Sequence, residues 1–144
     1  MALLRDLADL ALASKQEEQA LTLLVEMGGT QRTRLEDTGS ALETYKEALE
    51  LRPDYPPALE AVRDCIRSDD EAGTGRFMLA DAYKRSGDDS KRIDILQEIL
   101  DSDDLKVDEA VSQVYLDLAT TRLSRGEEPA HVWRYAEAAY RTNP

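Results

Sequence analysis

Apolar residues return at every third or fourth position along nearly the whole chain, the spacing that gathers side chains onto one face of an α-helix. Leu3, Leu7, Leu10 and Ala11 make such a stripe and predict a first helix over about Ala2–Ala13. Ala20, Leu23, Leu24, Met27 and Leu35 predict a second, longer helix over about Gln16–Leu35. A third follows over about Ser40–Leu51, carrying Ala41, Leu42, Tyr45, Ala48, Leu49 and Leu51. Pro53, Pro56 and Pro57 stop it. Proline is accommodated in a first helical turn, where its missing N–H has no partner to lose, so a fourth helix starts near Pro57 and runs to about Arg67. Ser68-Asp69-Asp70 can cap the next segment, and Gly73-Thr74-Gly75 loosens its start. The fifth helix is then expected over about Arg76–Ser86, closed by Gly87 in a left-handed turn. Ser90–Leu100 makes a sixth, with Ile93, Leu96, Ile99 and Leu100 as its apolar face. A seventh runs over about Val107–Ser124 and stops at Gly126, and an eighth over about Pro129–Arg141. No segment alternates with period two for long enough to predict a strand.

Composition agrees with helix. Leu and Ala supply 38 residues against 10 for Val and Ile. Unbranched side chains lose little rotamer freedom in a helix, so that ratio favours an all-α chain. At 144 residues the chain suits one domain and is short for two ordinary ones. One Cys excludes a disulfide framework, and one His beside it argues against a zinc site; no cofactor is expected. The lone Cys65 fits a reducing, cytoplasmic setting. Arg5, Asp6 and Asp9 interrupt the first apolar run, which therefore reads as an amphipathic helix and not a secretory signal. No run of 18 apolar residues is present to span a membrane.

Charge narrows the partners. The net charge is −12, and residues 69–117 hold 14 acidic against 6 basic side chains. A nucleic-acid backbone or an anionic membrane surface would be repelled. A soluble acidic surface, or a basic protein or peptide partner, suits it.

The helices also repeat. Ala41-x3-Tyr45-x2-Ala48-x4-Pro53 has counterparts in Arg92-x3-Leu96-x2-Ile99 and His131-x3-Tyr135-x2-Ala138. Upstream of each stands a helix with a small residue at a matching offset: Gly29, Ala80 and Ala119. Gly87 and Gly126 close the second and third of these. Two helices about 8–10 Å apart interlock when one offers Ala or Gly against the bulk of the other.

This pattern resembles the tetratricopeptide repeat, a unit of about 34 residues built from two antiparallel helices. Ala41, Tyr45, Ala48 and Pro53 match the family's second helix, Leu79, Ala80, Tyr83 and Gly87 the first helix of a middle unit, and Tyr115, Leu118, Ala119 and Gly126 that of a last unit; Gly29 with Val25 and Leu35 matches less closely. The resemblance covers about residues 16–144. It implies a right-handed α-solenoid of antiparallel helix pairs, with seven or eight helices in a single domain over residues 1–144. Its parts would be a leading helix over 1–15, a repeat over 16–55, a short or irregular helix over 56–72, and repeats over 73–106 and 107–144. Arg92 and His131 depart from the family by standing where it prefers Ala. Residues 56–72 hold one helix where a full unit would hold two, which leaves a conflict of helix phase near residues 56–75. The first helix looks like the second half of an absent unit. That reads as an excised piece of a longer repeat protein, or as a chain whose ends pair with another copy.

Family solenoids bind an extended peptide or a partner's helix in the groove lined by the first helix of each unit. The resemblance therefore marks Glu26, Thr30 and Arg34, with Met27 beside them, on the second helix. It marks Phe77, Asp81, Lys84 and Arg85 on the fifth, and Gln113, Asp117 and Thr120 on the seventh. These do not reproduce the Lys and Asn clamp by which chaperone-binding members hold a carboxylate; a mixed or basic peptide suits Glu26, Asp81 and Asp117 better. Catalytic constellations are lacking. His131 reads as a packing or surface residue, and Cys65, next to Asp64, as an unreactive thiol. Asp69-Asp70 and Asp103-Asp104 read as helix caps, since Asp101–Asp104 lacks the glycine of a calcium loop. Gly28-Gly29-Thr30 and Gly73-Thr74-Gly75 lack the Lys of a phosphate loop. Trp133, Tyr135 and Tyr140 have the spacing of core or inter-unit packing. The expectation is a non-enzymatic scaffold that docks a peptide or partner domain. The alternatives are self-assembly through solenoid ends, or a regulatory arm of a larger protein.

Overall fold

A computed structural model describes residues 2–103 and 108–144, all but the side chain of Asp108. The described residues form eight helices and no strand: α1 (Ala2–Ala13), α2 (Glu17–Arg34), α3 (Thr38–Leu51), α4 (Pro56–Arg67), α5 (Ala72–Ser86), α6 (Asp89–Asp101), α7 (Asp108–Ser124) and α8 (Pro129–Thr142). The chain is all-α, as the 3.6-residue periodicity requires. The expected start of the seventh helix at Val107, and the capping role expected of Asp104, lie outside the described residues. The chain divides into two compact units, Met1–Ala82 and Tyr83–Pro144, with the division inside α5.

In the first unit α1 packs on α2, α2 on α3, and α4 on both α3 and α2. The pairing of α2 with α3 is antiparallel: Gly28 lies beside Tyr45, and Arg52 at the end of α3 reaches Glu17 and Glu18 at the start of α2 at 2.9 and 2.7 Å. Ala20, Leu21, Leu24, Ala41, Leu42, Ala48, Leu49, Ala58, Val62 and Cys65 are sealed from solvent. Arg5 of α1 makes a two-pronged bond to Glu47 of α3, at 2.6 and 2.9 Å. Thr38 at the start of α3 donates to Asp70 just beyond α4. That bond sets α3 and α4 antiparallel.

One expectation near residues 68–76 is corrected. α5 begins at Ala72 and not at Arg76, so Gly73-Thr74-Gly75 lies within the helix. Glycine costs a helix about 1 kcal/mol against Ala, but at Gly75 the absent side chain is what allows the approach. A Cβ there would stand 2.9 Å from Ile66 Cγ1 of α4. Ser68 and Asp70 are engaged elsewhere than at the start of α5. Ser68 donates back to the carbonyls of Asp64 and Cys65, and Asp70 is taken by Thr38. The capping acids are Asp37, which accepts from the Ser40 N–H at 2.9 Å, and Asp88, which accepts from the Lys91 N–H at 3.2 Å.

In the second unit α7 packs on α6 and on α8. Ser124 at the end of α7 donates to Asp89 at the start of α6, and Arg92 lies 3.7 Å from Asp117, an antiparallel register. Ser112 of α7 donates to the Ala139 carbonyl of α8 at 2.9 Å. Arg122 stacks over the Tyr135 ring at 5.1 Å. Gly87 and Gly126 take φ values of +75° and +83°, the left-handed turn that ends α5 and α7. The same turn follows α1, α2 and α4 without glycine, at Lys15, Glu36 and Asp69.

Candidate functional site

The geometry of α2 starts from one glycine, and it is not the expected one. A Cβ on Gly28 would stand 2.8 Å from Tyr45 Cδ1 and Cζ, whereas one on Gly29 would meet nothing within 4 Å. The reading that placed Gly29 at the close crossing is corrected to Gly28. A step of one residue turns a helix by about 100°, enough to swing a packing position onto the surface. Two further packing positions shift by the same rule. Ala80 is half-buried while Leu79 and Ala82 are buried, and Ala138 is half-buried while Ala139 is buried. Ala41, Tyr45, Ala48, Tyr83 and Ala119 are core residues; Pro53 and Tyr135 are half-buried.

With Gly28 against α3, the outer face of α2 presents Thr22, Glu26, Gly29 and Thr33. Thr30 lies further round toward buried Met27 and bonds to the Glu26 carbonyl, and Arg34 is exposed at the helix end. Beside this face stands α4, linked to α2 by Arg32, which donates to Ser68 Oγ at 2.7 Å and to the Asp64 carbonyl. α4 adds Glu60 and Asp64, both held by Arg67 at 2.7 and 2.6 Å. The sequence reading missed these two acids because it took α4 for an irregular insert. The signal present was the apolar spacing of Ala58, Val62 and Cys65, which fixes the opposite face of α4 as buried.

On α5, Phe77, Asp81, Lys84 and Arg85 are all exposed and share one face. Gln113 and Thr120 are exposed on α7, but Asp117 is half-buried. It accepts from Gln113 at 3.2 Å, its carbonyl accepts from Thr120 and Thr121, and Arg92 stands beside it. Asp117 is thus a bracing residue within its unit. Of the core or inter-unit packing expected of Trp133, Tyr135 and Tyr140, the core part is corrected for two: Trp133 and Tyr140 are 68% and 70% exposed, because the buried stripe of α8 runs through Val132 and Ala139, while Tyr135 is half-buried. His131 is exposed.

The electrostatics offer little reactivity. Burial pushes the Cys65 thiol up; Arg32 opposes this, and Asp70 and Asp64 add to it. Among the described residues no group of three or more His, Cys, Asp or Glu is placed to hold a metal ion, and no helix is long and apolar enough to cross a membrane. No family model matches the chain, and no curated protein matches it.

Proposed function

We propose that the chain is a protein-interaction scaffold of tetratricopeptide-like helix pairs, which docks a mixed or basic peptide on the outer faces of its first helices and does no chemistry of its own. The observation that carries this is the seating of α4 on α2 and α3 together. α1, by contrast, packs on α2 and reaches α3 through the Arg5–Glu47 pair. Hairpins laid side by side give that arrangement within the first unit, and they leave the outer faces of α2 and α4 open. Small residues against an aromatic at the α2–α3 crossing are the steric device such stacking needs.

Recognition would rest on Glu26 with Glu60 and Asp64 in the first unit, and on the face of α5 that carries Phe77 and Asp81. Acidic side chains around an apolar anchor favour a basic or mixed segment and speed its encounter. The test is fluorescence anisotropy with labelled peptide libraries of basic, mixed and acidic composition. Binding is expected from the basic and mixed sets, weakening as salt rises. Glu26→Lys with Asp81→Lys should lower the affinity at least about tenfold, roughly 1.4 kcal/mol, with unchanged circular dichroism. Asp117 is unsuited to this test, because a lysine there would confront Arg92. Equal affinity in the reversed protein, or a preference for the acidic set, overturns the reading.

A further inference from the structure

Two of the acids on which recognition would rest already hold a cation. Arg67, in the last turn of α4, brings one guanidinium nitrogen, Nη1, to 2.7 Å from Glu60 and 2.6 Å from Asp64. Glu60 stands two helical turns upstream, about 10 Å along the axis. The Arg67 side chain therefore lies back along the outer face of α4, the direction in which helical side chains lean. Packing does not require this. All three side chains are more than half exposed, and the buried stripe of α4 is on the opposite side, at Ala58, Val62 and Cys65. The face is shared with α2. Both helices run antiparallel to α3 and so parallel to each other, and the bonds from Arg32 to Ser68 and the Asp64 carbonyl set Glu26 level with Glu60. Of the other arginines nearby, Arg32 is engaged by those bonds, and Arg63 has a partner too. Arg67 is the cation seated on the two acids that a basic ligand would seek.

We propose that Arg67 is a built-in competitor for the basic peptide: its guanidinium occupies Glu60 and Asp64 in the free chain and must swing off them for a basic side chain of the ligand to dock. This rests on the peptide-docking reading and adds a regulation to it. Exposed ion pairs are weak, so the swing costs little and the face stays usable. A site that is free for only part of the time shows an affinity lowered by that fraction. Arg67 thus lowers the affinity of the face without blocking it. Glu26, on the neighbouring helix, lies clear of this competition and remains available for first encounter with a basic ligand.

Fluorescence anisotropy with the labelled basic peptide set tests it. Arg67→Gln should bind about three- to tenfold more tightly than wild type, with unchanged circular dichroism. Arg67→Ala provides a second variant should glutamine disturb the helix end. Loss of a positive charge would by itself favour a basic ligand, so a double-mutant cycle separates the two causes. In a Glu60→Gln, Asp64→Asn background, read at low salt to keep the weaker binding measurable, Arg67→Gln should change the affinity by less than about twofold, because no carboxylate is left to release. A gain in that background as large as in wild type assigns the effect to net charge and overturns the proposal. Unchanged affinity in Arg67→Gln also overturns it, and leaves peptide docking standing. Basic peptides bound by neither wild type nor Arg67→Gln overturn both readings, and binding by Arg67→Gln alone supports both.

Discussion

Replacing Gly28 with Ala is expected to destabilise the first unit, and the same replacement at Gly29 to stabilise it. A methyl on Gly28 would lie 2.8 Å from two ring atoms of Tyr45 and nearer still to Cε1. Comfortable contact between carbons needs about 3.5–4.0 Å. Tyr45 is 3% exposed, so its ring cannot retreat without displacing its neighbours. Overpacking of that kind costs about 1–3 kcal/mol. Alanine gains about 1 kcal/mol over glycine in a helix, which offsets part of the penalty at Gly28 and acts alone at Gly29, where nothing lies within 4 Å. The propensity gain is common to both variants, so their difference isolates the steric cost. Urea unfolding followed by far-ultraviolet circular dichroism measures it. With a slope of about 1–3 kcal/mol per molar, a steric cost in the middle of its own range should separate the two midpoints by roughly 1 M. In a Tyr45→Leu background the ring is gone, and the Gly28→Ala penalty should shrink, a coupling that a double-mutant cycle reads directly. Equal shifts in the same direction for Gly28→Ala and Gly29→Ala would refute the packing argument, as would a penalty that persists without the ring.

Other consequences are open to measurement. Lys15 and Glu36 hold a left-handed backbone without glycine, at φ of 59° and 53°, so Lys15→Gly and Glu36→Gly should each raise the urea midpoint, by up to about 1 kcal/mol in stability. Conversely Gly87→Ala and Gly126→Ala should each lower it by about 1 kcal/mol, since both positions need positive φ. The Asp37 carboxylate is held below its ordinary range by its bonds from the Ser40 hydroxyl and N–H. Its contribution to stability is therefore present above the ordinary Asp range and lost as pH falls through the lowered folded value. Asp37→Asn, which caps without titrating, should lose less stability than wild type between pH 6 and pH 2, as compared by urea midpoints. The Cys65 thiol, sealed and pushed up by burial, should resist a thiol-modifying disulfide reagent at pH 8 until urea unfolds the first unit; rapid labelling of the native chain would contradict its burial.

The helices were legible in the order of residues along the chain. Periodic apolar residues, prolines at first turns and glycines at the ends of α5 and α7 are local signals, and each acts through the backbone or through one helix face. They placed α1 at Ala2–Ala13 and the ends of α3, α4 and α5 at Leu51, Arg67 and Ser86. Whatever turns on helix rotation or on neighbouring helices came only with the packed fold. Whether Gly28 or Gly29 meets Tyr45 turns on about 100° of helix rotation, which a pattern tolerant of one residue does not resolve. The early start of α5 depends on Ile66 receiving Gly75, a contact between helices that carries no local signature. The turns at Lys15, Glu36 and Asp69 lack the glycine that would have announced them, and the packed helices on either side hold them in place. The same division holds for the candidate faces. Glu26 was legible as an exposed position on α2, but the placement of Glu60 and Asp64 beside it required knowing that α4 packs on α2. Spacing along one helix fixes which residues share a face; only the packing of helices decides which faces meet.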